Sequence, residues 1–210
     1  CAAGKGSFGT EELVHRIEAT RLKDVVQHRE LILPQLGAPG VAAHEVRKLS
    51  GFRVEYGPAR AAGLPPYLKT REATPEMRRV RFTLWDRITL IPVELVAVLI
   101  PLLISAIVLR LGPVAAILAG VVLFPILFPW LPTPNFSTKG YILGGGVALP
   151  FVFNALFGNL EASLWLRTAW ALTFALTLPP ITAYLALNFT GASTVTSRTG
   201  VRREIYRYAL

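Results

Sequence analysis

The sequence predicts a partial, Rossmann-like α/β portion followed by an all-α, multi-pass transmembrane domain. Three observations carry this expectation. Of 210 residues, 52% are apolar and the mean hydropathy is +0.47; this is too apolar for one soluble domain, and the apolar residues crowd beyond position 88. Upstream of that point, short apolar runs alternate with amphipathic helical patterns, as in a parallel β–α–β unit. Charge is lopsided, with 22 Lys and Arg against 13 Asp and Glu and a net +9. That balance suits anionic headgroups and a cytoplasmic face; no basic groove with interleaved aromatics and no nucleic-acid motif is present, so nucleic acid is not expected as a partner.

By composition the chain divides into residues 1–69, the carboxyl-terminal part of an α/β domain; 70–87, a basic juxtamembrane linker; 88–190, a transmembrane helical domain; and 191–210, a basic cytoplasmic tail. Residues 10–28 read as a helix, with Thr10 as N-cap, Glu11 and Glu12 in the first turn where the dipole favours acids, and an apolar stripe of Leu13, Ile17 and Val25. Leu31-Ile32-Leu33 is a wholly apolar run before Pro34, as in a strand buried on both faces. After a loop from Pro34 to Gly40, a helix runs through Val41, Ala42, Val46 and Leu49, and Gly51 stops it. Phe52 to Tyr56 is the next strand, closed by Gly57-Pro58. The spacing predicts parallel strands. In doubly wound sheets ligands sit beyond the carboxyl ends of strands, so Gln35-Leu36-Gly37 and Tyr56-Gly57-Pro58 are expected on one rim; read as bare sequence, without any resemblance, ordinary turn residues are the favoured reading.

Arg71, Arg78, Arg79, Arg81 and Arg87, mixed with Phe82, Leu84 and Trp85, suggest a segment lying at the headgroups. Spans are expected near 88–109, 112–131, 140–158 and 165–187, each about 20 residues as a bilayer requires, with Trp85, Trp130 and Trp165 near their ends. The arginine-rich leader, Lys139 and the tail arginines Arg198, Arg202, Arg203 and Arg207 then share one side, the cytoplasm. Glu94 is a functional candidate or an interfacial partner of Arg. Asn154, Thr173, Thr177 and Thr182 are expected to hydrogen-bond between helices, Pro179-Pro180 to break the last span, and Gly144-Gly145-Gly146 to allow close helix contact.

The chemistry is expected at Cys1-Ala2-Ala3-Gly4-Lys5-Gly6-Ser7-Phe8-Gly9-Thr10. Backbone amides and Lys5 would stabilise a Cys1 thiolate, a soft metal ligand. Gly4-Lys5-Gly6-Ser7 departs from a P-loop, which needs Ser or Thr directly after the Lys. A lipoprotein cysteine would lie outside the cell, against the charge-derived topology. With one Cys there is no intrachain disulfide and no complete zinc or iron–sulfur ligand set. His15, His28 and His44 are assigned no ligand role.

The decapeptide resembles the cap helix of the HgcA family of mercury-methylating corrinoid proteins, whose pattern is Asn-Val/Ile-Trp followed by Cys-Ala-Ala/Gly-Gly-Lys. The resemblance continues through residues 31–44, through Gly51-Phe52-Arg53-Val54-Glu55-Tyr56-Gly57-Pro58, and to Asn188-Phe189-Thr190-Gly191. The middle blocks are shared with the corrinoid iron–sulfur protein, whereas the Cys-containing cap helix joined to a membrane domain is the specific part. The resemblance implies that residues 1–69 belong to a corrinoid-binding domain and that the cofactor is a cobalamin-type corrinoid. It implies Cys1 as catalytic residue and lower axial cobalt ligand, with Gly4, Lys5, Ser7, Gly9 and Thr10 holding the cap helix and tuning the thiolate. Gln35, Leu36, Gly37, Tyr56, Gly57 and Pro58 would contact the macrocycle. The implied reaction is methyl transfer from cobalt to Hg(II), forming methylmercury, with a ferredoxin-like iron–sulfur electron donor, HgcB, as partner. Family members are expected to have a fifth span, so the chain reads as truncated at both ends, with the rest of the α/β domain upstream of Cys1. A membrane-tethered methyl carrier of one-carbon metabolism and a non-enzymatic membrane scaffold are the alternative readings.

Overall fold

The computed structural model describes residues 8–109, 111–191, 193 and 198–208. It forms two compact units that part between Phe82 and Thr83, with the chain from Gly200 onward joining the second.

In the first unit, α1 (Thr10–Ala19) and a short α2 (Leu22–Val25) lead to β1 (Glu30–Pro34), then α3 (Ala43–Ser50) and β2 (Arg53–Gly57). The strands are parallel, with Leu31 opposite Val54 and Leu33 opposite Tyr56. This is the β–α–β unit expected from the spacing. Its core joins Leu13 and Ile17 of α1, Leu33 of β1, Val41, Val46 of α3, and Phe52 and Val54. Complete burial of Val46 and Phe52 contributes about 1.5–3 kcal/mol each. Gly51 ends α3 with φ of +77°, where a side chain would be strained.

Four details differ from the periodicity. The predicted helix over 10–28 breaks after Ala19, where Arg21 adopts φ of +47°. Val25 is consequently exposed, and Val14 takes its place on the buried face. Leu49 is exposed while Ser50 is buried, because the Ser50 hydroxyl donates to the Val46 carbonyl (2.7 Å) and accepts from the Phe52 amide (3.2 Å). Leu31 and Ile32 are only half-buried, since the described sheet has two strands. After β2, α4 (Leu64–Thr70) and α5 (Pro75–Arg78) complete the unit, with Tyr67 buried.

The second unit contains two helices long and apolar enough to cross a membrane, α11 (Phe136–Phe157) and α12 (Leu164–Phe189). They are preceded by α6 (Leu84–Ile88), α7 (Ile91–Ala97), α8 (Leu99–Ile104), α9 (Leu111–Leu118) and α10 (Phe124–Leu127). The stretch predicted as a first span is bent by 67° at Val98. Pro101 has no N–H for the Ala97 carbonyl and its ring crowds that turn, which places the break there. Leu111–Leu127 is a shorter apolar helix; its Ala119–Leu123 stretch winds as a π-helical turn just ahead of Pro125.

Packing of α11 on α12 uses a small-residue seam. A Cβ on Gly144 would lie 2.7 Å from Pro179 Cα, and one on Gly140 2.6 Å from Ala186 Cβ. Gly145 and Gly146, read as part of the contact in the sequence, have nothing within 4 Å. Pro179 and Pro180 do not break α12, which runs through them; Pro179 is buried in this seam. Of the candidate interhelical hydroxyls, Thr182 does reach the Ala116 carbonyl (3.0 Å), whereas Thr173 and Thr177 bond back into their own helix. Asn154 is exposed and bonds to no neighbouring helix among the described residues.

Several basic side chains are structural rather than free. Arg87, read as a headgroup arginine, is 5% exposed and donates to the Pro125 and Ile126 carbonyls at 3.2 Å each. Lys139, read as a loop charge, is buried in α11; it donates to the Phe128 carbonyl (2.8 Å) with its ammonium 3.9 Å from the Phe128 ring centroid. Arg167 donates to the Leu156 carbonyl, tying α12 to the end of α11. Trp85, Trp130 and Trp165 are exposed, as interface anchors would be.

The tail forms α13 (Arg198–Tyr208). Glu204 is buried, its burial pushes the carboxyl pKa up while the nearby Phe136 and Ser137 amides at the start of α11 pull it down, and its Oε1 has no hydrogen-bond partner among the described residues. Tyr208 hydroxyl meets Asn135 Nδ2 (3.2 Å) and Thr138 Oγ1 (3.0 Å).

Candidate functional site

The rim at the carboxyl ends of β1 and β2 is built from three segments. The first is the entry to α1. Gly9, not Thr10, is its N-cap, and the Gly9 carbonyl accepts from the Leu13 amide at 3.0 Å. Thr10 is the first helical residue and its hydroxyl accepts from the Ala42 amide at 2.9 Å. A residue read as capping its own helix instead pins the start of α1 to the residue that precedes α3. Glu11 and Glu12 occupy the first turn as expected.

The second segment is Gln35–Gly37, a single 3₁₀ turn directly after β1. Gly37 is buried, and a Cβ there would meet Phe8 Cε1 at 3.7 Å. Phe8 therefore lies against Gly37 and packs on the α/β core. Gln35 is half-exposed, and its amide has no hydrogen bond to another described residue. Leu36 is also half-exposed.

The third segment is the end of β2. Tyr56 donates to the Val41 carbonyl at 2.5 Å, and its partial burial pushes the phenol pKa up, so it remains a donor across the physiological range. Gly57 and Pro58 lie beneath the rim. Both are buried, and a Cβ on Gly57 would meet Ile32 Cγ2 at 3.0 Å and Tyr67 Cε1 at 3.3 Å. They support the rim; Gln35 and Leu36 are accessible on it.

Gly9, Thr10, Gln35, Leu36, Gly37 and Tyr56 are thus drawn together through Phe8, Val41 and Ala42. Cys1, Gly4, Lys5 and Ser7 lie outside the described residues. Phe8 carried a usable signal, an aromatic beside a Gly-rich turn, but Val41 and Ala42 contribute backbone groups that any residue could supply. His15, His28 and His44 are each exposed, and no group of three His, Cys, Asp or Glu suited to a metal ion occurs among the described residues. Glu94 is half-buried in the first turn of α7.

Compared with models of protein families, with curated proteins and with solved structures, the chain has no match.

Proposed function

We propose that the protein is a membrane-anchored corrinoid methyltransferase of the mercury-methylating type. The observation that carries this reading is the junction of α1 with the strand-end rim. The helix that continues directly from the Cys1 motif begins against Gly37, pinned by Thr10 to Ala42. A ligand from the segment before Phe8 would therefore be delivered to the edge where doubly wound sheets bind cofactors.

The residues present fit a corrinoid in two respects. Gln35 offers a half-exposed side-chain amide, with no hydrogen bond to another described residue, for the polar edge of a macrocycle, and Phe8 over Gly37 offers an apolar surface. Gly57 and Pro58 act below the rim. Bound there, a cobalt corrinoid would supply a transferable methyl group for Hg(II). The chain's own part is to present Cys1 as a thiolate, with Lys5 and the amides ahead of α1 favouring the ionised form. Thr10 and Phe8 fix the helix start, and Tyr56 fixes residue 41 beneath it. A ferredoxin-like donor is the expected reductant, because the chain's one Cys cannot hold a cluster.

The membrane reading rests on α11 and α12, and on the bent Leu84–Val108 stretch if its two arms count as one span; the shorter apolar helix Leu111–Leu127 would be a fourth. With four spans the leader and tail arginines would share one face, which the positive-inside rule makes the cytoplasmic one. Lys139, being buried, drops out of that count.

The test is anaerobic incubation of the protein with methylated corrinoid, reductant and Hg(II), with methylmercury as the readout. Product that disappears in Cys1→Ala supports the reading. Corrinoid binding with no methylmercury from the wild type favours the one-carbon methyl carrier, and failure to bind corrinoid favours the scaffold.

A further inference from the structure

A second feature lies at the opposite, amino-terminal ends of the strands and does not depend on the corrinoid reading. His28, Arg29, Glu30, Arg47, Gly51 and Arg53 line an open cleft of about 460 Å3. Three segments meet there. Residues 28–30 lead into β1, Arg47 lies in the last turn of α3 whose C-cap is Gly51, and Arg53 opens β2 opposite Glu30.

The cleft holds three guanidinium groups against one carboxylate, and none of the three forms an ion pair with another described residue. Arg29 is fixed by the chain itself. Its Nη1 donates to the Val26 carbonyl (2.6 Å), its Nη2 to the Lys23 carbonyl (3.1 Å), and its guanidinium stands 5.4 Å from the Phe52 ring centroid. Arg47 and Arg53 form no ion pair with Glu30 or with any other described residue. Elsewhere on the same unit an exposed arginine is neutralised, since Arg16 meets Glu12 at 2.6 Å. Dipole attraction at the end of α3 favours Arg47 but does nothing for Arg53 or Arg29. Like charges gathered in one concavity repel unless an anion joins them. One guanidinium held in place, flanked by two that form no ion pair with another described residue, matches the tetrahedral, multiply accepting oxygens of a phosphoryl group.

We propose that this cleft is a phosphoryl-binding site. The phosphoryl group belongs either to a membrane lipid headgroup or to a soluble phosphate compound, and one experiment separates the two. The full chain in nanodiscs of phosphatidylcholine is treated with phenylglyoxal, and the rate of modification of each arginine is followed by mass spectrometry. Pyrophosphate is the soluble probe, and phosphatidylglycerol in the nanodisc is the anionic lipid probe.

At ten times the dissociation constant, a ligand leaves about a tenth of the site free, so Arg47 and Arg53 should react about tenfold more slowly while Arg16 is unchanged. Protection by pyrophosphate assigns a soluble ligand, and protection by phosphatidylglycerol alone assigns a lipid. Unchanged rates at Arg47 and Arg53 with both probes overturn the proposal. So does equal slowing at Arg16, which would mark general screening of surface charge.

Discussion

The two units put their polar side chains to different main uses, although Arg29 serves helix-end carbonyls at Lys23 and Val26 in the α/β unit as well. In the α/β unit, side-chain hydrogen bonds such as Thr10 to Ala42 and Tyr56 to Val41 gather loops around a rim, while the elements themselves follow from apolar periodicity. In the helical unit the polar side chains repair the helices. Arg87 serves carbonyls at Pro125 and Ile126, Lys139 serves Phe128, and Arg167 serves Leu156. The difference follows from the medium. A carbonyl freed by proline or by a helix end in the α/β unit can turn to water, whereas one within an apolar bundle needs a donor from the chain. Cations that resemble surface charges in the sequence thereby become internal supports.

The largest effect that would break this contrast is expected at the α11–α12 seam. Gly144→Leu drives a side chain into Pro179 and Thr182 and should cost about 3 kcal/mol in unfolding of the helical unit in detergent. Gly145→Leu, with open space around it, should stay within about 0.5 kcal/mol of wild type. Arg87→Met comes next, since it leaves two carbonyl groups without their donor and should cost about 2 kcal/mol in the same assay. If Arg87 were merely a headgroup arginine, this variant would unfold like wild type.

On the other side of the comparison, Thr10→Val should cost about 1 kcal/mol and confine its effect to the α/β unit. Hydrogen exchange is expected to speed up at the Ala42 amide and stay unchanged across α11. The smallest effect concerns pH. Burial raises the Glu204 carboxyl above its ordinary range, with the Phe136 and Ser137 amides partly opposing it. The folded chain therefore holds a proton that the unfolded chain has released. The stability linked to that proton is fully present at low pH and is lost as pH rises from the ordinary carboxylate range through the raised value. Unfolding of α13 from α11, followed by exchange, should show that slope in wild type and lose it in Glu204→Gln.

How much of this was legible beforehand differs by unit for the same reason. Leu31 to Leu33, Val46, Gly51 and Val54 declare a β–α–β pattern, because burial and turn geometry constrain which residues can stand there. Thr10 looked like an N-cap because the sequence shows the hydroxyl and the helix start but not the neighbouring Ala42 amide. In the apolar half every residue fits a helix, so periodicity is silent about where helices bend. Pro101 and Pro125 mark the distortions, yet Pro179-Pro180, the strongest breaker by composition, lies inside a continuous helix supported by α11. Arg87 and Lys139 were misplaced because the positive-inside argument counts charges without knowing which are buried. At the candidate site Gln35 and Gly37 were legible as a turn at a strand end, whereas the burial of Gly57 beside Tyr67 and of Pro58 beside Gly63 depends on packing that the local pattern does not show.

In the proposed function, Cys1 would serve as a thiolate ligand to a corrinoid bound at the rim. The most direct measurement is the anaerobic visible spectrum of corrinoid-loaded protein with Cys1 intact and as Cys1→Ala. A corrinoid band that shifts when the thiol is lost is the predicted result. Identical spectra from both proteins, each with corrinoid bound, would contradict it.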